Sequence, residues 1–159
     1  MPKYNCILNL PGLTIKKASG HQPLLFELEY NKKTRCPPCN SRHVRKKDSS
    51  IREVRHEMLG HRMALLRFKT HKLYCVDCRR YGRQQFPGIG KHQRATHRLQ
   101  AQIFYQHTKG ISQKDLSQFF RLGKATIERW YQNHYQLQEK ERMNTPCPII
   151  LGINEHFFS

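Results

Sequence analysis

Two paired-cysteine motifs decide the fold: Cys-Pro-Pro-Cys at residues 36–39 and Cys-Val-Asp-Cys at residues 75–78. Two residues between cysteines place both sulfurs at the mouth of one tight turn, and two such turns facing each other supply the four thiolates of a tetrahedral zinc site. The intervening residues 40–74 exceed the usual spacing between such motifs, so we expect them to fold back on themselves as strands. The sequence therefore predicts a zinc ribbon. Its predicted ligands are Cys36, Cys39, Cys75 and Cys78.

Other interpretations of these cysteines remain open: two disulfides, a redox CxxC motif or buried thiols. Residues 1–13 lack the basic start and apolar core of a signal peptide, so we expect a cytoplasmic location, where cysteines favour metal over disulfide. Cys6 and Cys147 stand apart from the two pairs and are expected to be buried thiols. Four histidines between the motifs are alternative metal ligands. They are His43, His56, His61 and His71.

The charge of the chain indicates its class of partner. Its 159 residues include 29 Lys and Arg against 11 Asp and Glu, a formal net charge of +18. The electrostatic field of such a charge attracts phosphate, so nucleic acid is the expected partner. A basic ribosomal protein, or a protein that binds an anionic membrane surface, would also fit the charge alone. No apolar run approaches the roughly 20 residues of a membrane-spanning helix. Between residues 31 and 86, sixteen basic residues stand against four acidic ones. The residues of the ribbon that are predicted to contact the phosphate backbone of the nucleic acid are Arg45, Lys46, Lys47, Arg79 and Arg80.

Strand patterns precede and fill the ribbon. Residues 24–30 alternate apolar and acidic side chains, as a half-buried strand does. Residues 51–56 and 63–74 predict a hairpin that turns at residues 59–61. Phe-Pro-Gly-Ile-Gly at residues 86–90 then breaks the pattern and predicts a linker. We therefore expect a zinc-ribbon domain with amino-terminal strands over residues 1–88.

Two capped helices are predicted to follow. Thr96 is an expected N-cap, and the helix it opens is expected to end near Gly110, where no β-carbon resists a left-handed turn. Ser112 and Asp115 resemble a capping box with Asp in place of Glu, which opens the second helix. The first helix is expected to bury Leu99, Ile103 and Phe104, and the second Leu116, Phe119 and Phe120.

The next segment has the order of a helix-turn-helix. After a turn at Arg121, residues 123–130 place Ile127 and Trp130 or Tyr131 inward and leave the early polar residues exposed. In a helix-turn-helix, those early residues of the second helix reach base edges in the major groove. The turn departs from the usual pattern because Arg121 stands where Gly is common, although a positive φ there is costly for a side chain. An ordinary helical bundle is the alternative interpretation. The expected DNA contacts are Arg121, Lys124, Thr126 and Arg129.

The last segment predicts the start of another domain. The third helix is expected to run to about residue 142, so that residues 89–143 form a helix-turn-helix domain. The apolar run at residues 149–153 is typical of a central strand, yet its neighbours are not in the sequence. Residues 144–159 are therefore expected to be the cut-off start of a third domain.

In this order, the motifs resemble the transposases of ISL-three-type insertion sequences. The resemblance implies an α+β fold: a small β zinc ribbon, a three-helix helix-turn-helix unit, and the first strand of a truncated ribonuclease-H-like domain. It also implies that the position of Asn154 belongs to the first carboxylate of a DDE triad that holds two magnesium ions. A neutral amide cannot replace that anionic oxygen, so we expect no catalysis from this chain. The matching segments are residues 8–13, 36–39, 60, 75–78, 86–89, 96–131 and 151–155.

The expected function is sequence-specific binding of duplex DNA at transposon terminal inverted repeats, with a structural zinc ion. Magnesium is expected only in the intact parent family, and the family implies a homo-oligomer located at the nucleoid. A transcriptional regulator derived from a transposase is the first alternative. An RNA-associated zinc protein ranks last, because the sequence shows no obvious aromatic pair set among basic residues on a strand.

Overall fold

The computed structural model describes residues 5–143, with side chains from residue 7 onward. It has an α+β fold in which a five-stranded mixed sheet precedes three packed helices. The predicted class is therefore confirmed for this part of the chain. The elements are α1 (Asn5–Leu8), β1 (Leu13–Ser19), β2 (Leu24–Tyr30), β3 (Val44–Leu59), β4 (Arg62–Cys75), β5 (Tyr81–Arg83), α2 (His97–Thr108), α3 (Gln113–Phe120) and α4 (Lys124–Met143). The predictions for Cys147, for the strand at residues 149–153 and for Asn154 lie outside the described residues, as does the side chain of Cys6.

The strands follow the order β1-β2-β4-β3, and β5 pairs with the far end of β4. The long hairpin β3–β4 turns at Gly60, whose φ of 64° glycine adopts without strain. The predicted strand at 24–30 is confirmed, and those at 51–56 and 63–74 are confirmed as parts of β3 and β4. The bounds of β1 were not predicted, because consecutive lysines at 16–17 obscure its alternation.

One face of the sheet packs into an apolar core. Val54, Leu66 and Phe68 of the hairpin are buried there together with residues that lie outside the strands. Phe86 and Ile89 belong to this core, at 3% and 4% exposure, and the Phe86 ring meets Phe68 edge-on at 4.7 Å between centroids. The interpretation of residues 86–90 as a linker is therefore wrong. The segment is a tight turn held in the core by its two apolar side chains.

The three helices enclose a second core, which contains Leu99, Ile103 and Ile127. Thr96 is confirmed as the N-cap of α2, since its side chain accepts from the backbone N–H of Leu99. Ser112 caps α3 in the same way, accepting from the backbone N–H of Asp115. The burial predicted for Phe119 is wrong, because Leu116 and Phe120 occupy the narrow inward stripe of this short helix and leave Phe119 48% exposed.

Four successive residues of β3, Arg55–Met58, join the sheet to the helices; we call them the junction strand. The backbone of Arg55 pairs with residues 94–96, its N–H donating to Arg94 and its carbonyl accepting from Thr96. His56 contacts Thr96 at 3.0 Å, Glu57 accepts from Arg98 at 2.7 Å, and the backbone N–H of Met58 donates to Gln102. The edge of the sheet is thereby covered, and the helices dock on it through specific polar contacts.

Candidate metal centre and nucleic-acid interface

The four predicted cysteines meet at the end of the β3–β4 hairpin. Their sulfur atoms all lie within 4.8 Å of one another, and the contacts Cys36–Cys78 and Cys39–Cys75 measure 3.6 and 3.5 Å. Ligands about 2.3 Å from a central zinc ion stand about 3.8 Å apart at the corners of a tetrahedron, which these distances approach. A disulfide needs sulfurs about 2.05 Å apart, and the four cysteines are free. The donor set fits zinc.

The two cysteine turns share one backbone design. In the first, the N–H of Cys36 donates to the carbonyl of Ser41, and in the second the N–H of Cys75 donates to that of Arg80. The residue after each second cysteine is left-handed, with φ of 58° at Asn40 and 55° at Arg79. Each turn spans the same number of residues and reverses the chain in the same way. Because the two turns have the same backbone conformation, their four sulfur atoms can surround one central point.

Polar contacts outside the sulfurs also tie the two turns together. Asp77, between the cysteines of the second turn, accepts a hydrogen bond from the hydroxyl of Ser41 and lies 3.1 Å from Nδ1 of His43. Hydrogen bonds from Ser41 and then from His43 lower the pKa of Asp77 below its ordinary value. Within the described residues, none of the four histidines considered as alternative ligands belongs to the cysteine cluster.

The environment of the sulfurs indicates why a cation belongs among them. Burial raises the pKa of Cys36 to about 12, whereas a backbone hydrogen bond from Cys78 lowers that of Cys75 to about 7. The Cys36 thiol therefore resists ionisation while Cys75 forms a thiolate more readily, and each thiolate that forms disfavours ionisation of its neighbours. A dication at the centre supplies the opposite charge that four thiolates need.

The helix-turn-helix consists of α3, a turn at residues 121–123 and α4. Arg121 adopts the left-handed conformation (φ 50°, ψ 52°), as its place in the pattern requires, and its N–H donates to the carbonyl of Gln118. The side chain of Arg55 donates from Nη1 to the carbonyls of Phe120 and Arg121, at 3.3 and 2.9 Å. A cation beside these last carbonyls of α3 is favourable for the helix dipole. Arg55 thus connects the sheet to the turn that orients α4.

An open cleft of about 1020 Å³ separates the first turns of α4 from β3 and the segment before α2. Thr126, Arg129 and Asn133 face it from α4 at helical spacing. Arg55 and Arg94 line the opposite wall. The carboxylate Glu53 also lines the cleft but is paired with Arg67, whose Nε lies 2.8 Å from Oε1. The cleft therefore has basic residues on both of its walls, one formed by the helix-turn-helix and the other by β3 and the segment before α2.

The predicted DNA contacts fall into two groups. Arg121, Thr126 and Arg129 line the cleft, with Thr126 half-buried and the two arginines exposed, while Lys124 is the exposed first residue of α4. The second group lies on the ribbon, away from the cleft. Its members, all exposed, are Arg45, Lys46, Lys47, Arg79 and Arg80.

Three further residues, His92, Arg94 and Asn133, also line the cleft and were not predicted from the sequence. Asn133 follows Thr126 by seven residues, so helical periodicity could have found it. His92 and Arg94 carry no such signal, because only the pairing of Arg55 with residues 94–96 brings them to the cleft.

Two modules define the class of this protein: a four-cysteine ribbon and a helix-turn-helix, which are joined through β3. A family model described as the zinc-finger of transposase IS204/IS1001/IS1096/IS1165 matches residues 32–78. A second model, the helix-turn-helix domain of transposase family ISL3, matches residues 84–135. The chain belongs to the ISL3 family of transposases by these two modules, which indicate DNA binding. Searches of curated proteins and of solved structures found no match.

Within residues 5–143, the helices are too short or too polar to cross a membrane.

Proposed function

We propose that the chain binds duplex DNA in a sequence-specific manner at the terminal inverted repeats of an insertion sequence. The match to the helix-turn-helix of family ISL3 carries this proposal, together with the basic cleft that its second helix lines. The B-DNA major groove, about 12 Å wide, admits one α-helix. Lys124, Thr126 and Arg129 occupy the first turns of α4, from which such helices read base edges.

The proposal includes one structural zinc ion, held by Cys36, Cys39, Cys75 and Cys78. The mutual distances of the four sulfurs and the match to a transposase zinc finger support this assignment. The ion cross-links the two ends of the hairpin and so positions the exposed basic residues of the ribbon. These residues then contact phosphates, which fix register and supply salt-dependent affinity.

Selection of binding sites from a randomised duplex pool, followed by competition against scrambled sequence, tests the role of α4. Arg129→Ala is expected to lower the preference for the selected site by about 5- to 150-fold, the range of about 1–3 kcal/mol for one good base contact. Arg142→Ala is the matched control, since it removes the same charge from the exposed far end of the same helix. An equal loss on selected and scrambled duplexes from Arg129→Ala would contradict base recognition by this residue.

Phosphate contact by the ribbon has a different signature. Lys46→Ala is expected to weaken binding to every duplex alike and to reduce the slope of log affinity against log salt by about one unit. The measurement is fluorescence anisotropy on selected and scrambled duplexes over a series of salt concentrations. An unchanged slope would place Lys46 outside the interface.

We also propose that this chain binds transposon ends without cutting them. The two matched models describe a zinc finger and a helix-turn-helix, and Asn154 is neutral where the resemblance places a carboxylate. With magnesium or manganese and repeat-bearing plasmid, the purified chain is expected to leave the DNA unnicked. The same observation favours a second candidate, a regulator derived from a transposase, and mapping of occupied sites in cells to promoters or to repeat-flanked ends separates the two.

A further inference from the structure

The three-stranded end of the ribbon carries an aromatic pair that the proposed duplex-binding cleft does not use. Tyr74 of β4 and Tyr81 of β5 are directly opposite in the antiparallel register, with ring centroids 5.0 Å apart and planes inclined at 51°. Tyr81 is 61% exposed. A ring this exposed buries little area, so it contributes little to a core and remains accessible to a ligand.

Two lysines lie over the rings, and the strand register adds two arginines to the same part of the sheet. Lys72 places Nζ 5.2 Å from the centroid of Tyr81, and Lys47 places Nζ 5.9 Å from that of Tyr74. The strand register adds one arginine on each outer strand. Arg45 of β3 is opposite Tyr74, and Arg83 of β5 is opposite Lys72.

One carboxylate lies beside these cations. Asp48 is opposite Lys72 in the β3–β4 register, and its Oδ1 accepts from the backbone N–H of Ser49. It offsets one of the four positive charges, so the face keeps a clear excess of positive charge next to accessible rings.

We propose that this face binds unpaired nucleotides of single-stranded nucleic acid. A base stacks on the ring of Tyr81, while Lys72 and Arg83 neutralise the adjoining phosphates; aromatic rings and cations in this combination are the means by which proteins bind single strands. Paired bases are already stacked inside a duplex and cannot reach the ring. No such pair is obvious in the sequence, because Tyr74 and Tyr81 are seven positions apart on different strands and meet only through the β4–β5 pairing.

The test uses the zinc-loaded full chain with labelled oligo-dT and oligo-rU of about 12 nucleotides, which is within the range of single-strand sites. Tyr81→Leu is expected to lose about 5- to 150-fold in affinity for the single strand, the range that corresponds to about 1–3 kcal/mol per stacked base. Tyr81→Phe keeps the ring and is expected to bind like the wild type. Stronger binding of oligo-dT or of oligo-rU identifies the sugar that the face prefers, and either preference supports the site.

Tyr105 on α2 provides a matched control. It is 62% exposed and has Lys109 Nζ 5.3 Å from its centroid, but it lies away from the ribbon. Tyr105→Leu is expected to leave single-strand affinity unchanged. Zinc content is measured for each variant, because Tyr81 is close in sequence to Cys78.

Photocross-linking of the unaltered protein to bromouracil-substituted oligo-dT provides a second measurement that requires no substitution. The expected cross-link is at Tyr81 or Tyr74. Single-strand affinity that is unchanged in zinc-loaded Tyr81→Leu, or cross-links confined to the helices, would overturn the proposal. These outcomes are independent of duplex binding through α4, since the Arg129→Ala experiment tests that function on other residues.

Discussion

The ribbon tip, residues 36–50 and 70–83, and the helical unit, residues 95–143, keep their shapes by different means. In the ribbon tip, every residue from 45 to 50 is exposed, and the buried apolar side chains are few, Leu73 among them. The helical unit instead has the apolar core that contains Leu99, Ile103 and Ile127, with capped helices around it. A short strand pair with little apolar burial needs a cross-link, whereas the three helices stabilise one another by packing.

Removal of zinc should have the largest effect and should separate the two regions. Structural zinc contributes about 10–16 kcal/mol of apparent binding free energy in small domains, which is folding free energy where the site forms only on folding. Chelation, or Cys75→Ser, is therefore expected to abolish amide protection in the ribbon tip and to leave α2, α3 and α4 protected. Hydrogen exchange measured by mass spectrometry reports both regions in one sample.

The control for that experiment is the same chelator added already saturated with zinc. Simultaneous loss of protection in the helical unit would show that the two regions unfold together. Full protection of the ribbon tip in zinc-free protein would remove the proposed role of the metal.

Truncation in the helical core should have the next largest effect. Ile127 is completely buried between the helices, so Ile127→Ala is expected to cost about 2–5 kcal/mol through lost transfer free energy and a cavity. Leu137→Ala on the same helix is the control, since its side chain is 58% exposed and surface changes usually stay within about 0.5 kcal/mol. Urea denaturation followed by helical circular dichroism measures both. A similar loss for the two variants would contradict a distinct core around Ile127.

Acid should weaken the junction strand through His56. Burial lowers the pKa of this histidine from 6.5 to about 4, partly opposed by Glu57. The unfolded chain then binds the proton more readily, so the associated stability is complete above pH 6.5 and is lost as the pH falls from 6.5 towards 4. In this window the free energy of unfolding falls by at most about 1.4 kcal/mol per pH unit.

Denaturation midpoints measured between pH 7 and about pH 4 check this expectation. His56→Gln should flatten the pH dependence relative to the wild type, while exposed His61→Gln should leave it unchanged. Any acid release of zinc is expected to be common to all three proteins, so the difference between their slopes isolates His56. Parallel slopes for the wild type and His56→Gln would contradict a buried neutral imidazole.

The smallest expected effect concerns the connection between the two regions. Arg55→Met keeps the length of the side chain but removes its hydrogen bonds to the carbonyls of Phe120 and Arg121. We expect a loss of about 1 kcal/mol, below the usual range for charged hydrogen bonds because this site is partly exposed to water. Faster amide exchange at residues 121–124 would locate the effect, and Arg62→Met, an exposed arginine of β4, is the control. Unchanged exchange there would show that α4 keeps its orientation without Arg55.

Features whose signal is contained in a few neighbouring residues could be predicted from the sequence. The CxxC spacing identified the four sulfurs that the fold brings together, and Thr96 and Ser112 were identified as caps. The left-handed conformation at Arg121 also follows from its place in the pattern. The zinc ligand roles and the DNA contacts remain predictions for the experiments above.

The errors fall where distant residues meet. The motif at residues 86–90 has the composition of a linker, yet Phe86 and Ile89 find room in the sheet core. Phe119 has an apolar side chain at a position that the short helix turns outward. In both cases the residue types agree with the prediction, but packing against distant residues determines whether the side chain is buried.

The sequence by itself determined the cysteine quartet, the capped helices, the β3–β4 hairpin and the basic character of the whole chain. Cysteine spacing, helix capping and the alternation of apolar residues are each contained in a few consecutive residues, so they can be recognised without the fold. Only the tertiary structure decided that Arg55–Met58 would hold the helices, that Arg94 would face Arg129 across a cleft, and that Tyr74 would meet Tyr81. Those meetings depend on strand register and on docking between elements far apart in the chain, and a shift of one residue in register would turn each side chain to the other face.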